Sequence, residues 1–401
     1  MSSLFPFKAL RPDPSAVARV ASVPYDVVNT EEARALATGN PLSFLHVTRS
    51  EIDLPDGTNP YDDRVYAQAV HNFETLKREA PLVLDDEPAL YAYRLTMGGH
   101  VQVGLAGCFS VDEYEHDRIK KHEKTRPDKE DDRTRHITEL RAQTGLVFLT
   151  YRASTAIDTV VDRIVRGRPL YDFVAPDGIG HTVWKITGAD ADALVRGFAA
   201  LDALYIADGH HRAASAARAR QAARGAADAN RFVAVAFPDR QMQVLPYNRV
   251  VKDLGGRTPA DFLATLKAAM PVTDGVPSPA RKGSVSMYLD GRWHAIELPM
   301  ADADGTPDEA LDVALLQRHV LAPFLGIGDP RTDKRIDFVG GIRGTAELER
   351  LVNQGKAAVA FSMFPVGVDD LMAIADAGGI MPPKSTWFEP KLRDGVLVHL
   401  I

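Results

Sequence analysis

Cysteine is nearly absent: Cys108 is the only one in 401 residues, which excludes an intrachain disulfide and a cysteine-built zinc site and suits a reducing compartment. Positive charge is not in excess, since 47 Lys and Arg face 54 Asp and Glu, a formal net charge of −7. That balance withholds the broad basic field that holds DNA or an anionic membrane, so neither is expected as a partner. Nowhere do eighteen apolar residues run uninterrupted, and residues 1–12 lack a charged start followed by an apolar stretch. No membrane-spanning helix and no export signal is read, and a cytoplasmic location is expected. Common fingerprints are missing as well: no Gly-x-Gly-x-x-Gly follows a strand, no glycine-rich Walker A loop is present, and Gly-x-Ser-x-Gly is absent. His122-Glu123-Lys124-Thr125-Arg126 is not a zincin motif, because Arg126 stands where the second histidine is required.

What is present is ordinary globular composition, 45% hydrophobic and 25% charged, enough for two or three domains with real cores. Helical spacing predicts helices over 30–37, 61–78, 157–166, 189–201 and 212–224. Apolar runs predict strands over 89–97, 101–110, 146–151, 182–186, 204–207 and 232–237, with a hairpin at Gly98-Gly99. Later come helices at 259–270, 308–321 and 368–377, a hairpin at Asp290-Gly291, and strands at 357–364 and 396–401. This grammar predicts an α/β (α+β) fold with mixed sheets. Three regions are expected: 1–155, α+β with a charged cleft segment; 156–255, a phosphate-binding core; and 256–401, a further α+β section.

The sharpest local signal is Asp208-Gly209-His210-His211-Arg212, where an apolar strand runs into a polar turn and then an alanine-rich helix former. A helix N-terminus leaves backbone N–H groups unpaired and its dipole positive, so an anion is welcome, and Gly209 permits close approach or positive φ. His210, His211 and Arg212 add donors where the dipole disfavours cations, which is expected of groups awaiting an anion, while Asp208 is suited to a metal or a hydroxyl. The plain alternative is that Asp208 is an N-cap and the histidines are solvated or core-facing. A metal site built from His181, His210 and His211 is disfavoured, because adjacent residues cannot share one helix face.

Residues 118–136 form a second constellation, with eight basic and five acidic residues alternating. Such a run is ordinarily a solvated face laced with ion pairs. Bounded by buried-looking strands, it can instead line a cleft where Lys121, Arg126, Lys129 and Arg133 neutralise phosphates and Glu123 acts as base. Lys384, in Pro383-Lys384-Ser385-Thr386, ends like a Walker A loop without its glycines and could still reach an anion.

With these residues in view, the chain resembles the bacterial and archaeal Domain of Unknown Function 1015 family almost end to end. The resemblance rests on Phe5-Pro-Phe-Lys-Ala-Leu10, Pro24-Tyr-Asp-Val-Val28, Asn40-Pro-Leu-Ser-Phe-Leu-His46 and Lys120-Lys-His-Glu-Lys-Thr-Arg126. Asp208-Gly-His-His-Arg212, Pro246-Tyr-Asn-Arg249 and Met381-Pro-Pro-Lys-Ser-Thr-Trp-Phe-Glu-Pro-Lys391 complete it. The Asp-Gly-His-His-Arg turn is also similar to the signature of free serine kinases, which share a nucleotide-binding fold with ParB-type proteins and sulfiredoxins; about the middle third of the chain can be laid on that fold. The similarity implies a ParB/sulfiredoxin-like core that phosphorylates a small hydroxyl acceptor, free L-serine first, from ATP, ADP or pyrophosphate with Mg2+. It implies Asp208, His210, His211 and Arg212 on phosphate or metal and a glutamate base, carried here to Glu123. A nucleotide-binding switch without turnover and a phosphohydrolase are the competing functions, and a homodimer is allowed.

Overall fold

Five consecutive buried residues, Val147–Tyr151, form a strand covered on both faces. It lies inside a mixed sheet whose order is Ile119–Lys120, Leu204–Asp208, Val147–Tyr151, Arg231–Pro238, His100–Ser110, Leu90–Met97, Gly180–Ile186 and Tyr171–Val174, with Leu4–Phe5 added on His100–Ser110. Two pairings are parallel, Leu204–Asp208 with Ile119–Lys120 and Arg231–Pro238 with Val147–Tyr151; the others are antiparallel. The fold is therefore mixed α/β, as the alternation of apolar runs and helical spacing predicts. This computed structural model describes residues 2–79, 82–223, 226–299 and 305–401. Arg224, the predicted end of the alanine-rich helix, lies outside them.

The chain divides into two units, residues 1–242 with 390–401 and residues 243–389. In the first, Phe109, Leu149, Phe198, Ile206 and Phe232 belong to the core of the nine-stranded sheet. Residue 155 falls within this unit, because Val147–Tyr151 and Leu204–Asp208 pair in one sheet. The alanine-rich helix His210–Ala222 buries Ala213, Ala214, Ala216, Ala217 and Ala219. Their small side chains allow it to pack closely on the charged helix Pro127–Leu140, where the Ser215 hydroxyl donates to the Glu130 carbonyl at 3.2 Å. The final residues return to this unit, where Val398–Leu400 joins a four-stranded sheet with Ala9–Pro12, Leu82–Leu84 and Ala142–Gln143.

The second unit holds an antiparallel six-stranded sheet in which Tyr247–Val251 lies between Val359–Ser362 and Ile336–Gly340. Residue 255 therefore falls within it. The predicted helix 308–321 starts and ends four residues later and is irregular, with an α segment Asp312–Leu316, a π turn Gln317–Leu321, and another α segment Ala322–Leu325. Pro323 has no N–H to return to the preceding turn, and the ladder widens before it. Among the described residues, no helix is long and apolar enough to cross a membrane.

Candidate functional site

Strand Leu204–Asp208 places the signature at a sheet edge region. Its register against Val147–Tyr151 shifts between Ile206 and Asp208, an irregularity of the kind that re-aims a side chain. Gly209 follows with φ 89 in the left-handed region, where a Cβ would lie 3.5 Å from the Val147 Cα. Helix His210–Ala222 then starts with no side-chain cap. The Arg212 N–H donates to the Gly209 carbonyl at 2.9 Å, which leaves the His210 and His211 N–H groups for water or an anion. Asp208 turns back: Oδ1 accepts from the Gly209 N–H at 2.8 Å and Oδ2 from Lys391 Nζ at 2.6 Å, with 41% of its side chain exposed.

The charged segment reaches the same place through strand pairing. Tyr205 is in parallel register with Lys120, so the residues after Lys120 run beside the signature turn. The His122 N–H donates to His210 Nε2 at 3.4 Å, and the two rings meet edge to face with centroids 4.4 Å apart. His210 Nε2 is therefore the acceptor nitrogen, and its protonated Nδ1 lies 3.7 Å from Glu123 Oε2. The Arg126 N–H donates to His211 Nε2 at 3.0 Å, which leaves the His211 proton on Nδ1. Glu123 thus joins Asp208, His210 and His211 around one turn.

The cations of the segment divide. Lys121 pairs with Asp117 at 2.6 Å and covers the Tyr114 ring. Arg126 is 70% exposed and forks onto Asp128. Lys129 donates to the Tyr61 hydroxyl at 2.9 Å, while Arg133 lies over Tyr25 and pairs with Asp132 at 2.9 Å. Lys129 and Arg133 line a polar cavity of about 70 Å³ with Arg49, Glu51, Tyr66 and Asp132. Tyr25, Thr48, Arg133 and His136 also border a second cavity, of about 30 Å³, beside Arg212. Lys384 belongs to the second unit, on a left-handed residue with Nζ 5.4 Å from the Tyr247 ring centre.

Burial reverses one premise of the sequence reading. It pushes His122 down to about 4, drives His210 well below its ordinary range and lowers His211. His210 and His211 are therefore neutral at pH 7, each accepting a backbone N–H instead of opposing the dipole as a cation. Asp208 is held low, at about 2: burial raises it, but Lys391 first and then Arg212 and the Gly209 N–H outweigh that. A pH dependence follows with a definite sign. A histidine whose folded value lies below its unfolded value of 6.5 favours the folded state above 6.5, and that contribution is lost as the pH falls toward the folded value. For His122, which is 3% exposed, the loss between pH 6.5 and about 4 amounts to roughly 3 kcal/mol. Thermal melts should show the midpoint falling from pH 7 to pH 4, with a shallower fall in His122→Gln; equal slopes in the two proteins would contradict the assignment.

Two partners of the signature come from the C-terminal segment: Lys391, which ends the tail motif of the family resemblance, and Asp394, neither of them a site residue in the sequence reading. Lys391 holds Asp208, and Asp394 accepts from Arg212 Nη1 at 2.8 Å and Nη2 at 3.3 Å. Asp394 is 2% exposed and Arg212 11%. Burial pushes the Asp394 carboxyl up and the bidentate guanidinium pulls it back, while Arg212 itself is raised. Arg212 also donates to the Leu146 carbonyl at 3.2 Å, and its guanidinium lies 5.5 Å from the Tyr25 ring centre. Gly145 makes room for this pair, since a Cβ there would come within 2.1 Å of Arg212 Nη1. Asp26, from the Pro24-Tyr-Asp-Val-Val28 loop, stands 3.9 Å from Arg212 Nη2.

Among the described residues, no group of three or more His, Cys, Asp or Glu could cage a metal ion. A single exposed carboxylate such as Asp208 suits Mg2+, which commonly takes one or two carboxylates together with substrate phosphates and water.

Comparison with known proteins places the chain more firmly in a family than in an activity. No curated protein matches it. Among solved structures, a conserved hypothetical protein from Pyrococcus furiosus is similar at 16% identity and a TM-score of 0.36, covering 74% of this chain and 95% of that one. A free serine kinase in complex with AMP is similar at 14% identity and a TM-score of 0.36, over 72% of this chain and 91% of that one. SbnI with a C-terminal truncation, from Staphylococcus aureus, is similar at 13% identity and a TM-score of 0.38, over 72% and 85%. Likenesses this slight leave the activity to be argued from the site itself. The family model described as protein of unknown function (DUF1015) matches residues 4–314, and the chain belongs to that family.

Proposed function

We propose that the chain is a nucleotide-binding phosphotransferase acting on a small hydroxyl acceptor, free L-serine being the acceptor its signature suggests, with ATP, ADP or pyrophosphate as donor. The observation that carries this reading is the uncapped helix start at Gly209, with Asp208, His210, His211 and the Glu123 carboxylate gathered around it. Donor phosphate oxygens accept from the His210 and His211 backbone N–H groups and from His211 Nδ1–H. Asp208 stays ionised and is the residue that would hold Mg2+, whose charge would neutralise the phosphates. Glu123 accepts the acceptor's hydroxyl proton while the hydroxyl oxygen bonds to the terminal phosphorus and the donor's bridging P–O bond breaks. His210 Nδ1–H faces Glu123 and orients it. Arg212, tied to Asp394, positions the turn, and the exposed Arg126 with Lys129 supplies cations at the rim.

Incubation with serine, Mg2+ and each donor in turn, read as phosphoserine by mass spectrometry, tests the reading. At least one donor should yield phosphoserine, and replacing His211 by Ala should weaken donor affinity as well as rate. Donor binding without transfer to serine or another small alcohol would make the chain a nucleotide-binding switch, and release of free phosphate alone would make it a phosphohydrolase.

A further inference from the structure

The signature carboxylate is already in contact with a cation. Lys391 Nζ lies 2.6 Å from Asp208 Oδ2, the position an incoming metal ion would also seek. The lysine side chain is 15% exposed, so the pair is partly shielded, while Asp208 keeps 41% of its side chain in solvent and can be approached. Lys391 arrives on the segment 390–401, more than 180 positions along the chain from Asp208, and the neighbouring Arg212–Asp394 pair anchors that segment on the same turn. A flexible ammonium on a fixed backbone can leave one anion for another without moving the segment that bears it.

We propose that Lys391 is a tethered cation that occupies the Asp208 seat in the resting protein, is displaced by a divalent ion, and is thereby released toward the donor phosphates. The proposal rests on the phosphotransfer reading above for the identity of the phosphate. Its first half, competition between lysine and metal for Asp208, stands on the ion pair alone. A second cation beside the phosphates then appears only once the metal has arrived, so productive donor binding is coupled to metal loading.

Binding of Mn2+ to the full chain without nucleotide, followed by the loss of the free-ion paramagnetic resonance signal, reads the competition directly. Removing the ammonium in Lys391→Gln should tighten Mn2+ binding by roughly 10- to 100-fold, the scale of one charge-assisted hydrogen bond. Lys391→Arg should bind it as the wild type does, and adding Asp208→Asn to Lys391→Gln should remove the gain. Folded Lys391→Gln that binds Mn2+ no more tightly than wild type overturns the proposal, because an ion that competes with the ammonium for Asp208 must gain when the ammonium is removed. Should Lys391→Gln fail to fold, the wild type decides: acylation of Lys391 by a water-soluble ester, read by peptide mass spectrometry, should rise as Mn2+ fills the site, and unchanged labelling overturns the proposal. Failure of the phosphotransfer reading shows separately, as absent calorimetric binding of ATP, ADP and pyrophosphate with the Mn2+ results intact.

Discussion

Glu123→Gln is expected to lower turnover by roughly 10²- to 10⁴-fold, the usual contribution of a positioned general base, while donor affinity stays close to wild type. The amide keeps the shape and still meets His210 Nδ1, which lies 3.7 Å from the carboxylate, but it cannot take the hydroxyl proton. Steady-state rates with the best donor, set against donor affinity by calorimetry, separate the two effects. A Glu123→Gln protein that turns over at the wild-type rate would move the base elsewhere, with Asp208 next; its low value makes it a weak base and a good metal ligand, so that outcome would also unsettle the metal assignment.

Asp394→Asn should cost about 3–5 kcal/mol of stability, because it leaves the Arg212 guanidinium buried without its counter-charge. Arg212 is 11% exposed and Asp394 2%, so water cannot substitute freely. The same principle makes a sharper test. Replacing both partners by apolar residues, Arg212→Met with Asp394→Leu, removes two desolvated charges together and should recover much of the loss. Urea denaturation of the three proteins measures this. Recovery of stability without recovery of transfer would assign the pair to holding the turn, whereas an Asp394→Asn protein as stable as wild type would show that the pair contributes little to folding.

Much of this architecture was legible because it depends on short-range periodicity. The strand ending at Asp208, the turn at Gly209 and the helix beyond it follow from an apolar run, a glycine and an alanine-rich stretch. Helix Thr30–Ala37 falls on its predicted residues, and Asn29 and Glu32 close a capping box there. The histidines were harder. Their identities suggested cationic donors, but protonation depends on how deeply each ring is buried, which no local pattern records. Where the predicted helix 308–321 proved irregular, the cause was local, at Pro323, which stands just after the π turn.

The sequence alone determined the class of fold and the position of the strand-to-helix turn at Gly209, because hydrophobic period, glycine and helix-forming alanines act within a few residues of one another. Only the tertiary structure decided which charges meet. The parallel register of Tyr205 with Lys120 brings Glu123 to His210, and the return of residues 390–401 brings Lys391 to Asp208 and Asp394 to Arg212. Such pairings depend on strand register and on the path of a distant segment, and an isolated lysine or aspartate in sequence carries no mark of the partner that burial will give it.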